Sequence, residues 1–251
     1  MRIMLAIFTK QLNDVFKNPT VTMTFILFPL LAFAMANFMG GELLEGDSPF
    51  LLISTIATMA AAGMPLTAMA SYISEDIETK SLRFLIMAGV KPMQYLLGVG
   101  MFTFLLSVIA IAVFPIVGEL VSQDLALFAL IAVLGLFTSL TFGAVLGMIS
   151  KNVQQGITLA TIFMMVFSFV PMLASFNPGL MRLTQFLFGQ QIDNIFRYIS
   201  LGRGQEAIDR FYEVFGISFS MINSILIICA NFIVFAIIFF FVYKKRGINL
   251  N

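Results

Sequence analysis

The chain has 251 residues, of which 60% are hydrophobic and only 11% charged, and its mean hydropathy is +1.00. Soluble domains run near half apolar and about a quarter charged, so this composition cannot build a water-facing surface and leaves no stretch for a sizeable soluble domain. A net charge of +1 carries no message about nucleic acid, and with no histidine and a single cysteine, Cys229, neither a disulfide framework nor a Cys/His metal site can be assembled.

The amino terminus starts with a basic residue followed by apolar ones, but Lys10, Asp14 and Lys17 interrupt it too early for a signal sequence, so no segment is expected to be removed. Within residues 1–17, Met4, Leu5, Phe8, Leu12, Val15 and Phe16 recur at helical spacing among polar neighbours. That pattern predicts an amphipathic helix in the inner interface, against the alternative of a plain cytoplasmic tail. Crossing a hydrocarbon core of about 30 Å takes roughly 20 helical residues. Charge-free apolar stretches of that length predict six transmembrane helices, at about 19–39, 50–73, 94–118, 125–149, 154–175 and 218–243. The fold class is therefore an all-α integral membrane protein forming one domain over 1–251, without the alternation of a membrane β-barrel.

Orientation follows from the basic residues. With both termini cytoplasmic, ten of the fourteen bases fall inside: Arg2, Lys10, Lys17, Lys80, Arg83, Lys91, Lys151, Lys244, Lys245 and Arg246. The outer side keeps Arg182, Arg197, Arg203 and Arg210 in one connection, while the short outer loops carry Glu42, Glu45, Asp47, Glu119 and Asp124.

The inner loop at 74–93 holds the densest charge cluster, Glu75, Asp76, Glu78, Lys80, Arg83 and Lys91. Ile77, Leu82, Leu85 and Ile86 fit one side of a short helix, with the acids at its amino end, where the helix dipole favours negative charge, and Gly89 and Pro92 as stop signals. Such a helix suits the docking of a cytoplasmic partner; a solvated loop that only orients the spans is the alternative. Gly143 and Gly147 permit close helix contact in the fourth span. The second span carries Thr55, Thr58 and Thr67, and the fifth Thr158, Thr161, Phe163, Met165 and Phe169, residues able to line a path for amphiphilic cargo or to serve as plain packing surface. Between the last two spans, residues 176–215 place apolar residues from Leu183 to Ile199 at helical spacing, which predicts one or two amphipathic helices dipping into or lying on the outer leaflet.

No span holds a charge in its middle, so proton-driven transport is disfavoured, and with no histidine and no buried acid expected, intramembrane hydrolysis is the weakest reading. No phosphate-binding Gly-x-x-x-x-Gly-Lys-Ser/Thr loop occurs, so any ATPase must be a separate chain. Neither catalytic, cofactor-binding nor metal-binding residues are expected in this one.

The interfacial amino-terminal helix, the six spans, the charged inner loop and the long outer segment together resemble the permeases of type-2 ATP-binding-cassette (ABC) exporters, with the architecture of the G-subfamily. The inner run Glu75-Asp76-Ile77-Glu78-Thr79-Lys80-Ser81-Leu82-Arg83 is similar to the family's acidic stretch followed by Gly-Thr-Leu-Glu, with Ser81-Leu82 in place of Thr-Leu, Lys80 in place of glycine and Arg83 in place of the acid. The resemblance implies that this loop is the coupling helix docking on a nucleotide-binding subunit, which carries ATP and Mg. It also implies a dimer with an identical or homologous permease, with the second and fifth spans facing across a central path and the outer helices as a gate. The expected function is export of a hydrophobic or amphiphilic cargo (peptide, drug or lipid-like) from the cytoplasm by alternating access, at a bacterial plasma membrane. An ATP-independent carrier or membrane scaffold is the alternative.

Overall fold

The computed structural model describes residues 19–39, 50–120 and 122–249, together with Thr9. The expected interfacial helix at 1–17 and the acidic outer loop with Glu42, Glu45 and Asp47 lie outside the described residues. Among the described residues the chain is helical, without strands: α1 (Pro19–Met39), α2 (Phe50–Glu78), α3 (Ser81–Met87), α4 (Pro92–Ile111), α5 (Val113–Val117), α6 (Ser122–Ile149) and α7 (Val153–Met164). A single π-helical turn, Met165–Phe169, then leads into α8 (Val170–Ala174), α9 (Pro178–Thr184), α10 (Phe188–Ser200), α11 (Gln205–Glu213) and α12 (Met221–Asn249).

Five apolar stretches are long enough to cross a membrane: Ile53–Glu78, Met93–Val117, Gln123–Ile149, Val153–Ala174 and Met221–Lys245. They match the second to sixth expected spans. The first is helical throughout Pro19–Met39, 21 residues without a charge.

Two of these stretches are broken by proline. Pro115 cannot donate to the carbonyl of Ile111, four residues back, and the helix breaks at Ala112 between α4 and α5. Pro171 does the same to the carbonyl of Phe167, which falls inside the π turn. Gly189 of α10 packs on that carbonyl, in space that a β-carbon would fill.

α2 is the central helix. Of its most apolar window 83% is buried, against 17% for the last span, and it packs on α1, α4, α6, α7 and α10. Its small residues Ala57, Ala60, Ala61, Ala62, Ala68 and Ala70 are what admit so many neighbours. α6 runs parallel to it at backbone contact. Ser139 Oγ donates to the Ala62 carbonyl at 2.5 Å, Gly143 faces Leu66, and Gly147 faces Ala70 and Ile73. α7 runs antiparallel, with Gly156 against Ser74, Met164 against Gly63, and Ser168 donating to the Met59 carbonyl at 3.4 Å. The close approach expected of Gly143 and Gly147 is thus made to α2.

Gly143→Ala should lower thermal stability in detergent by about 1–3 kcal/mol, because its new β-carbon would stand 2.5 Å from the Leu66 carbonyl oxygen, which only a backbone shift can move. Gly100→Ala, whose β-carbon would meet Met69 at an ordinary 3.7 Å, is the control. Equal melting temperatures for the two variants would refute the close-contact account.

Candidate functional site

The loop at 74–93, expected on the inner side, differs from the expected helix in one respect. α2 does not stop before the acids but runs through them to Glu78, so Glu75, Asp76 and Glu78 lie in its last turn and not at the start of α3. The chain reverses at Lys80, which takes a left-handed conformation with φ 62°. Thr79 supports the turn by donating its hydroxyl to the Glu75 carbonyl at 2.8 Å and sharing a 2.9 Å hydrogen bond with the Ser81 hydroxyl. Carboxylates in a last turn oppose the helix dipole, and partners on other elements offset that cost. Asp76, buried, accepts the Tyr95 hydroxyl of α4 at 2.9 Å. Glu78 accepts the Val153 backbone N–H at 2.7 Å, which places its charge at the favourable amino end of α7. A third tie runs from the Tyr243 hydroxyl of α12 to the Val90 carbonyl at 3.1 Å.

These ties bring the ends of α2 and α12 and the starts of α4 and α7 to one end of the bundle. Lys80, Arg83, Lys91, Lys151, Lys244 and Lys245 are exposed along the same segments. Of the expected docking residues, Glu78, Thr79, Lys80 and Arg83 are exposed, Glu75 and Ser81 are half-buried, and Asp76 and Leu82 are buried, Leu82 in the core. Phe84 and Met87, 65% and 56% exposed, escaped the sequence reading. Their signal was two large apolar residues three apart, off the face defined by Leu82, Leu85 and Ile86.

The expected path residues fall into two groups. On α2, Thr58 is buried and donates to the Ser54 carbonyl at 3.0 Å, Thr67 donates back to the Gly63 and Met64 carbonyls, and Thr55 is half-buried. On the fifth span, Thr158, Met165 and Phe169 are exposed and continue through Met172 as one outward stripe. Thr161 donates to the Ile157 carbonyl at 2.9 Å, and Phe163 packs edge-on to Phe142 at 5.0 Å. α2 and α7 pack directly on each other, and the clefts at α4–α6, at α4–α12 and beside α10 are lined by none of these residues.

The connection at 176–215, expected on the outer side, forms three helices, α9, α10 and α11, where one or two were expected. α10 is buried nearly throughout, and its Ile192 reaches Gly135 in the middle of α6, which also faces Ala61 of α2. It dips into the bundle. Its apolar face carries Phe188, which meets Phe167 at 4.6 Å, and Phe196, stacked on Phe128 at 4.6 Å. Its polar face is satisfied by amides. Gln190 accepts from Thr184 and donates to Asn194, each at 2.9 Å; Asn194 also accepts the Tyr212 hydroxyl at 2.6 Å and donates to Gln185 and Gln191.

On the same helix the buried Asp193 pairs with Arg197 at 3.1 Å; Arg197 also donates to Ser175 and lies 4.5 Å from the centre of the Phe211 ring. Burial and the nearby Asp193 push the Tyr212 hydroxyl well above its usual pKa. Burial works to lower the Arg197 guanidinium, but Asp193 and Tyr212 outweigh it and the pKa rises. The expectation that no acid is buried therefore fails twice, at Asp76 and at Asp193. In each case the cause is a partner supplied from elsewhere on the helices. Among the described residues no cluster of three or more acidic or thiol groups could hold a metal ion.

A bundle of long apolar helices around a buried central one, with the short helix α3 at its basic end, defines a polytopic helical membrane protein. The sequence pattern described as "ABC-2 family transporter protein" matches residues 45–241, so the chain belongs to that family and is a membrane permease subunit of an ABC transporter, a class distinct from the ATPase subunit. No curated protein matches the chain.

Arg197→Met should cost about 3–5 kcal/mol by leaving Asp193 buried without its counter-charge. The double variant Asp193→Leu with Arg197→Met should recover most of that loss. Additive losses in thermal unfolding would argue against the pair as a unit.

Proposed function

We propose that the chain is the membrane subunit of an ATP-driven exporter that moves a hydrophobic or amphiphilic cargo out of the cytoplasm by alternating access. In this reading it crosses the membrane six times with both ends cytoplasmic, in a bacterial plasma membrane. It works with a second permease, identical or homologous, and with an ABC ATPase that carries ATP and Mg, so this chain needs no cofactor of its own. The gathering of exposed bases at one end of the bundle supports that orientation.

One observation carries the reading: α3 is flanked by three hydrogen bonds to three different helices, through Tyr95 to α4, Val153 to α7 and Tyr243 to α12. A helix held this way passes a push on to the spans. Coupling between distant sites needs such a mechanically shared element. In this assignment Lys80, Arg83, Phe84 and Met87 face the ATPase, with Thr79 and Ser81 shaping the turn, while Glu75, Asp76, Glu78 and Leu82 seat the helix on the spans. The outward stripe Thr158, Met165 and Phe169 faces the path in the assembled dimer. Thr55, Thr58, Thr67, Thr161 and Phe163 support it from behind.

Replacing Arg83 and Phe84 together by glutamate should abolish co-purification of the ATPase in mild detergent while leaving the melting temperature within a degree or two, since both side chains are exposed. Undiminished association, or cargo transport by vesicles without ATP, would sink the docking proposal. Tyr95→Phe tests the transmission step. It should keep the ATPase bound but lower ATP-dependent transport several-fold, and a variant with full transport would remove the Asp76–Tyr95 bond from the mechanism.

A further inference from the structure

A cleft lies between the α4–α5 break and α6, away from both α3 and the fifth-span stripe. It has a volume of about 510 Å³, within the range of about 300–1,000 Å³ typical of small-molecule sites. Its cause is in the sequence: Pro115 breaks the helix at Ala112, and across the gap α6 offers Leu125, Phe128, Ala129 and Ala132. The walls are apolar with one ionic exception. Glu119 lines the cleft, in a left-handed conformation with φ 51° that the bonds Glu119 N–H to Ile116 O and Leu120 N–H to Pro115 O hold in place. A non-glycine residue seldom adopts that conformation. Glu119 is exposed and has no ion-pair partner among the described residues, whereas the neighbouring acid Asp124 is paired with Arg203.

Ile116 and Ala129 are exposed at the cleft, and Ile116 belongs to an apolar stretch long enough to cross the bilayer, so the cleft opens toward lipid. An acyl chain gains little by leaving one apolar medium for another, so the walls fix shape and confer no preference among lipids. Any preference must come from the headgroup, and the charge waiting there is negative.

We propose that this cleft binds a membrane lipid whose headgroup carries a cationic amine, with one acyl chain along Pro115 and Phe128 and the ammonium paired with the Glu119 carboxylate. The sixfold topology enters only in naming the leaflet, which is the outer one.

The test is native mass spectrometry of the purified chain titrated with phosphatidylethanolamine and phosphatidylglycerol of identical chains. Wild type should favour the amine-headed lipid by about three-fold, the scale of one exposed ion pair. Glu119→Gln should lose that preference and Glu119→Lys should reverse it. Ala129→Phe, an exposed position on the cleft wall, should lower the occupancy of both lipids. A preference unchanged by Glu119→Gln, or an occupancy unchanged by Ala129→Phe, overturns the proposal. These positions are remote from α3, so ATPase association in the same variants reports separately on the docking reading.

Discussion

Apolar side chains in a bilayer gain little by touching one another in place of acyl tails, so a helical membrane protein must hold together by close approach and hydrogen bonding. Here that constraint is met along α2. Its alanines and Gly63 let α6 and α7 reach its backbone, and Gly143, Gly147 and Gly156 complete the approach from the other side. Serines contribute where the helices touch: Ser139 and Ser168 donate to carbonyls of α2 that already serve the helix ladder. Everything else is arranged around this parallel and antiparallel pair. α4 and α12 lean on α6, and α10 finds its seat where α2, α6 and the π turn meet.

Hydroxyls elsewhere in the spans are spent locally. Thr58, Ser74, Thr103, Ser107, Thr138, Thr141 and Thr161 each donate to a carbonyl one turn back, which removes their need for a partner on another helix. Such residues are quiet in apolar surroundings. Besides Ser139 and Ser168, Asp76 bonds Tyr95 at one end of the bundle, and the Gln190, Asn194 and Tyr212 amides and hydroxyl bond one another and their neighbours around α10.

Five candidate spans were legible because length and hydropathy alone decide what can cross lipid. The proximity of α2 and α6 was legible in part, through Gly143 and Gly147, but not the partner they face, since spacing within one helix says nothing about its neighbour. The inner acids show the limit most clearly. A run of Glu75, Asp76 and Glu78 reads locally as the amino end of a helix, and only the distant Tyr95 and the free N–H of Val153 make the opposite placement favourable. α10 is similar: its apolar period was plain, whereas the burial of its polar face depends on Gln185, Thr184 and Tyr212, which belong to other helices.

The seat of α10 also bears on biogenesis. Its floor is laid by α2, α6 and the π turn, all of which precede it in the chain, and Phe188 can meet Phe167 as soon as it emerges. The lid is α12, whose Phe235 lies 6.2 Å from Phe188 and 4.3 Å from Phe142, and it follows α10 in the chain. Chain order and packing order therefore agree, and this seat is closed only once α12 has followed α10 out of the ribosome. Until then the neutral Asp193–Arg197 pair lets a helix with an acid and a base enter the bundle without net charge.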